Sequence, residues 1–104
     1  MLVKLKGDAD ILINAMHRHV ERRLRLALGA SSASIRSATV RLADVNGPRG
    51  GLDQKCALSV ELSPAGLVHA EAIDADAIAA FETAAGRAGR AVRRAIERRR
   101  SAYR

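Results

Sequence analysis

Aromatic residues are nearly absent from this chain of 104 residues, which has no tryptophan, one phenylalanine (Phe81) and one tyrosine (Tyr103). The shortage excludes an aromatic core, so apolar burial must come from aliphatic side chains and alanine. It also excludes the row of exposed rings on which single-strand binders stack bases. The lone cysteine, Cys56, rules out an intramolecular disulfide and fits a reducing compartment. It falls at an inward position of a strand pattern, where a core thiol is expected rather than a nucleophile. No apolar run approaches the roughly 18 residues of a membrane span. The amino terminus enters a strand pattern instead of a signal peptide, and the expected location is cytoplasmic, with no membrane partner.

Acidic residues are also scarce. Eleven acids face 18 basic residues, for a net charge of +7. With lysine only at positions 4, 6 and 55, nearly all of that charge is arginine, whose guanidinium holds phosphate oxygens bidentately where a lysine acts as a point charge. From Arg87 to Arg104 the acid Glu97 stands alone among arginines at 87, 90, 93, 94, 98, 99, 100 and 104. Such clustering is the electrostatic footprint of a polyanion partner, nucleic acid foremost.

The length suits one domain, residues 1–104, with a single two-layer core. Leu2 to Lys6 alternates apolar and basic residues as a short strand does, and Gly7-Asp8-Ala9-Asp10 supplies turn and capping groups for a helix. Ile13, Met16, Val20, Leu24 and Ala27 then form an apolar stripe that stops near Leu28-Gly29. Rotation by about 100° per residue gathers Arg18, Arg22 and Arg25 on the opposite side. Beyond the small residues of Ala30 to Ser34, Ala38 to Leu42 and Cys56 to Leu62 alternate with period two and read as half-buried strands. Asn46 to Gly51 breaks any regular structure between them. Ser63-Pro64-Ala65-Gly66 is a tighter turn, and Leu67 to Ile73 is a third consecutive strand whose core side is ambiguous.

Asp74 or Asp76 caps the closing helix, whose apolar positions are Ile78, Phe81, Ala85, Ala88, Val92 and Ile96. Arg87, Arg90, Arg94 and Arg98 form its outer row. Gly86 and Gly89 lower helix propensity and are expected to permit close packing. A helix of this length overhangs a shorter sheet. Arg99, on the angular side of Phe81 and Val92, implies that the core has ended there, so residues 97–104 are expected to project as a basic arm.

The chain offers little to catalysis or metal binding. His17 and His19 point to different sides of a helix, and His69 has no ligand cluster beside it, whereas zinc needs convergent ligands. Glu61 and Glu71, possible neighbours on adjacent strands, read as solvating carboxylates. Gly47 to Gly51 lacks the phosphate-loop pattern and joins two strands. It is either a plain hairpin connection or a grip on an RNA backbone through exposed amides and Arg49, and we take the second reading. No cofactor, metal, catalytic residue or small-molecule substrate is expected, and an enzyme is the last choice.

The order strand, helix, three strands, helix resembles the ribosome hibernation promoting factor / sigma-54 modulation protein family, in its short, single-domain form. Val20-Glu21-Arg22-Arg23-Leu24-Arg25-Leu26-Ala27-Leu28 and Val40 to Gly51, with Asp53 and Cys56, carry the match, and the terminal helix resembles the family's basic closing helix. The resemblance implies an α+β two-layer sandwich, β-α-β-β-β-α, with a four-stranded sheet and both helices on one face, similar to double-stranded-RNA-binding domains. It also implies a partner, the small ribosomal subunit and its ribosomal RNA, contacted by basic helix residues in the decoding channel so that messenger and transfer RNA are blocked. The RNA-binding residues expected here are Arg18, Arg22, Arg25, Arg49, Arg87, Arg90, Arg94 and Arg98. Departures from the family include arginine and alanine where better-known members carry lysine, and no second domain of the kind that pairs ribosomes, so this chain alone is not expected to supply that pairing; the chain itself is expected to be a monomer. The competing readings are a protein-interaction regulator and a general binder of structured RNA.

Overall fold

Among the described residues, alternation and helical stripes translate into seven elements. The computed structural model describes residues 1–7, 10–45 and 53–102, with the side chains of all of these except 10–14. The chain runs β1 (Leu2–Gly7), α1 (Asp10–Leu28), a 3-10 segment (Gly29–Ser34), β2 (Ile35–Asp44), β3 (Gln54–Leu62), β4 (Leu67–Asp74) and α2 (Ala77–Ala102). The groups expected to cap α1, the side chain of Ile13, and the loop 46–52 with Arg49 lie outside the described residues, as do Tyr103 and Arg104.

The strands form one sheet in the order β1-β2-β3-β4. β1 pairs with β2 in parallel, which needs a crossover, and α1 supplies it. β2 with β3 and β3 with β4 are antiparallel. One row of side chains from each strand faces the helices: Val3 and Leu5, then Ala38, Val40 and Leu42, then Cys56, Leu58, Val60 and Leu62, then Val68, Ala70 and Ala72. Met16, Val20, Leu24 and Leu28 of α1 and Phe81 and Val92 of α2 belong to the same core. Both helices therefore cover one face, and the other is open.

β2 begins earlier than its period-two segment. Ile35 pairs with Leu62 and Ser37 with Glu61, so Arg36 is an extra residue and the strand bulges. The bulge lets Ile35 and Ala38 share the core face although they differ in parity, which hides the strand's start from an alternation argument. In β4 the ambiguity resolves toward even positions, leaving Leu67 and Ile73 exposed on the open face.

α2 packs on β3 and β4 through alanines (Ala77, Ala80, Ala84, Ala85, Ala88) around Phe81, the one aromatic ring buried among the described residues. Ile78, expected in this stripe, is 42% exposed. It sits in the first turn at the margin of the buried arc, and Ala77 and Ala80 take the inward positions. Asp76 is the N-cap, accepting a hydrogen bond from the Ile78 amide at 3.3 Å, while Asp74 accepts one from the Asp76 amide at 3.1 Å and shapes the turn before it.

The two helical glycines differ. A Cβ at Gly89 would stand 3.0 Å from the carbonyl oxygen of Ala27, so the helices approach closely here. At Gly86 a Cβ would meet only the flexible end of Arg90, and close packing does not require glycine there. The 26 residues of α2 extend over about 39 Å, beyond the roughly 27 Å of the eight-residue β4, and the molecule is elongated, 54 × 21 × 18 Å.

Candidate nucleic-acid interface

On α1 the apolar stripe turned inward leaves Arg18, Arg22 and Arg25 exposed on the outside. Arg25 donates to the Glu21 carboxylate at 2.9 Å, one helical turn away. That hydrogen bond is the main reason the Glu21 carboxyl is held below the usual range. Arg18 and Arg22 have no acidic partner among the described residues.

On α2, Arg87, Arg90, Arg94 and Arg98 are all exposed. Arg87 is partly committed, because Nη1 donates to the main-chain oxygen of Glu71 on β4 at 2.7 Å. Arg90, Arg94 and Arg98 have no ionic partner among the described residues. Neither do Arg93 and Arg100, which the sequence reading did not select. These two line a groove between α2 and the 3-10 segment with Ser31, Ser34, Ile96 and Glu97. Their helical spacing from Gly89 would have placed them on the α1 side, had the partner of that side been known.

The seam between the helices shows how the ridges relate. Glu82 of α2 accepts from Arg23 Nε at 2.6 Å and lies 3.0 Å from His19 Nε2, both on α1. His19 also meets Phe81 edge-on, with ring centroids 6.1 Å apart. Burial alone would raise the Glu82 carboxyl, but the hydrogen bonds from Arg23 and His19 outweigh it and the net displacement is downward. Further along, Ala27 faces Gly89. Residue numbers rise together on the two helices, which are therefore parallel. Arg18, Arg22 and Arg25 lie off the seam on one flank. Arg87, tied to β4, marks the opposite flank of α2, where Arg94 and Arg98 follow at helical spacing, with Arg90 on the crest. The structure thus joins the two ridges in one outward layer but not in one cleft.

Arg99 overturns part of the expectation for the carboxyl-terminal end. Its angular position under Val92 does not face open solvent: Nη1 donates to the Ser63 carbonyl at 2.9 Å and Nη2 to the Ala65 carbonyl at 2.5 Å. The turn between β3 and β4, where Gly66 adopts φ +119°, lies beneath the helix there. The helix end is anchored through Arg99, while Arg98 and Arg100 on either side of it are exposed.

Among the described residues, the remaining polar side chains form local pairs and no reaction centre. Glu61 and Glu71 are not cross-strand neighbours, since Glu61 pairs with Leu67 and Glu71 with Ala57. Glu61 binds Arg36 at 3.1 Å; Glu71 binds Lys55 at 3.3 Å and His69 at 2.8 Å. Cys56 is fully buried, which pushes its thiol up to about 12. Among the described residues no three His, Cys, Asp or Glu side chains converge for a metal, and no helix is long and apolar enough to cross a membrane.

Comparison with known proteins gives this surface a context. Residues 11–100 match the model of a family described as Sigma 54 modulation protein / S30EA ribosomal protein. No curated protein matches the chain. Among solved structures, the N-terminal domain of Protein Y from Thermus thermophilus is similar at 29% identity and TM-score 0.68, over 90% of this chain and 98% of that one. A ribosomal subunit interface protein from Coxiella burnetii shares the fold at TM-score 0.78 and 15% identity, over 93% of this chain and 99% of that one.

Proposed function

Because the chain belongs to the Sigma 54 modulation protein / S30EA ribosomal protein family, whose members are non-enzymatic ribosome-associated factors, we propose that it binds small-subunit ribosomal RNA through its helical layer and holds translation idle by occupying the decoding channel. The observation that carries this reading is the set of exposed arginines with no acidic partner among the described residues: Arg18, Arg22, Arg90, Arg94 and Arg98. Each is free to take a phosphate bidentately. Arg25 and Arg87 join at lower gain, since each must leave a partner, and Arg49 is included in the proposed contact. With no exposed aromatic platform, recognition rests on phosphate positions and groove shape, which suits folded RNA. The factor acts in the cytoplasm as a monomer, and the basic end of α2 is anchored at Arg99.

The test is competition on purified small subunits. Added protein is expected to displace a labelled messenger fragment and transfer RNA, and saturating messenger and transfer RNA to displace the protein. Binding that leaves both in place would refute occlusion. Binding to bulk RNA duplex with equal affinity would instead make the chain a general structured-RNA binder, and retention of a partner after nuclease treatment would make it a protein-interaction regulator.

A further inference from the structure

The open face of the sheet is divided by charge. Along β1, Lys4 and Lys6 point away from the helices, and the register sets Lys6 beside Arg41 of β2 and Lys4 beside Thr39. All three cations are exposed, and none has an acidic partner among the described residues. Acids do occur on this face, at Glu61 and Glu71, but on the β3 and β4 half, where Arg36, Lys55 and His69 already engage them. From Arg41 the row continues through Ala57 to Glu71, two strand spacings or about 9.6 Å away. Like charges side by side on neighbouring strands are destabilising. Lysines on an edge strand also discourage edge-to-edge pairing, which accounts for Lys4 and Lys6 but not for Arg41, one strand further in.

We infer that Lys4, Lys6 and Arg41 form a second phosphate-binding surface, on the side opposite the helical arginines, so that the domain is held between two segments of RNA. The inference rests on the RNA-binding reading of the helical layer and extends it to the other face. Charge complementarity selects the occupant, a phosphodiester backbone: three cations without an acidic partner among the described residues lie within two rows of one sheet face, with exposed Leu2 a row beyond Lys4 at its margin and no ring among them to stack a base. The molecule is thin enough for this role, 18 to 21 Å across its shorter dimensions, and the two faces are separated only by the core.

The experiment measures affinity over a salt series for the full chain, on purified small subunits and separately on a short naked RNA duplex. The wild type is compared with the triple variant Lys4→Gln, Lys6→Gln, Arg41→Gln. A control carrying Lys4→Arg and Lys6→Arg keeps the charge, and circular dichroism verifies the fold of each. On small subunits the neutral variant is expected to lower the slope of log K against log salt by about 3, and the arginine control to restore it. An unchanged slope and affinity overturns the inference. A weaker affinity on subunits with an unaltered slope there also overturns it, pointing to an acidic ribosomal protein. If the wild type fails to bind small subunits at all, the proposed function falls; the second surface is then judged on the duplex alone, standing if the slope drops and falling if it does not.

Discussion

Arg99→Met is the most informative single change in the arginine-rich end. Methionine keeps an unbranched apolar stem over the turn and removes both donors to the Ser63 and Ala65 carbonyls. A hydrogen bond from a charged donor contributes about 1.5–3 kcal/mol where water is excluded. Arg99 is only half-buried, and its contact with Ala65 is exposed, so the pair together is worth roughly 1–2 kcal/mol. If the clamp broke only on global unfolding, the melting temperature would fall by roughly 4–8 °C per kcal/mol for a domain of this size. A helix end can instead open by itself. The larger effect is therefore expected in amide hydrogen exchange of residues 96–102, accelerated about tenfold or more, with a smaller fall in melting temperature. Arg99→Lys should lie between, because an ammonium cannot span both carbonyls as a fork does. RNA affinity should weaken with an unchanged salt slope, since Arg99 orders its neighbours and does not itself meet phosphate. Unaltered exchange in the last two turns would refute the clamp, and a slope reduced by about one would reassign Arg99 to the RNA.

The two glycines of α2 should respond oppositely. Gly86→Ala gains helix propensity without a steric penalty and should stabilise by about 0.5–1 kcal/mol, whereas Gly89→Val must displace the Ala27 backbone from a 3.0 Å contact and should destabilise by about 1–3 kcal/mol, both read from denaturant midpoints. Glu82→Gln should lower stability at neutral pH by under about 1 kcal/mol, the site being about a third exposed. Since folding depresses the Glu82 carboxyl, its contribution is present above the ordinary value of 4.5 and lost as pH falls through the lower folded value. Stability curves for the two proteins should therefore converge below that pH; a gap that persists in acid would mean that packing, not charge, is what the substitution removed.

The fold was legible where periodicity is local. Met16, Val20, Leu24 and Ala27 repeat on one side of a helix, Cys56 to Leu62 alternates cleanly, and both patterns correspond to the core observed. Misses arose where geometry depends on distant chain. The bulge at Arg36 exists because of its pairing with Glu61 and Leu62, and no window around Ile35 reveals it. The register of β3 with β4 separates Glu61 from Glu71, and register is set by the whole sheet. For the interface, rotation found Arg18, Arg22 and Arg25 on α1 and Arg87, Arg90, Arg94 and Arg98 on α2, all exposed, but passed over Arg93 and Arg100. It could not rank them, because what distinguishes Arg87 and Arg99 from Arg90, Arg94 and Arg98 is a main-chain oxygen supplied by β4 or by the turn before it. Nor could it show that the α1 ridge and the α2 row lie on opposite flanks of the seam, since the seam is defined by contacts of Glu82 and Gly89 with another helix.

If Arg90, Arg94 and Arg98, which have no acidic partner among the described residues, hold the protein on the ribosome, co-sedimentation will register their loss. Wild-type protein and the triple variant Arg90→Glu, Arg94→Glu, Arg98→Glu would be run with purified small subunits at matched salt, with the variant's fold verified by circular dichroism. The wild type is expected to travel with the subunits, with affinity falling on the order of 10³-fold between 50 and 200 mM salt for about six phosphates, and the variant to stay at the top of the gradient. A folded variant that sediments with small subunits as the wild type does would contradict it.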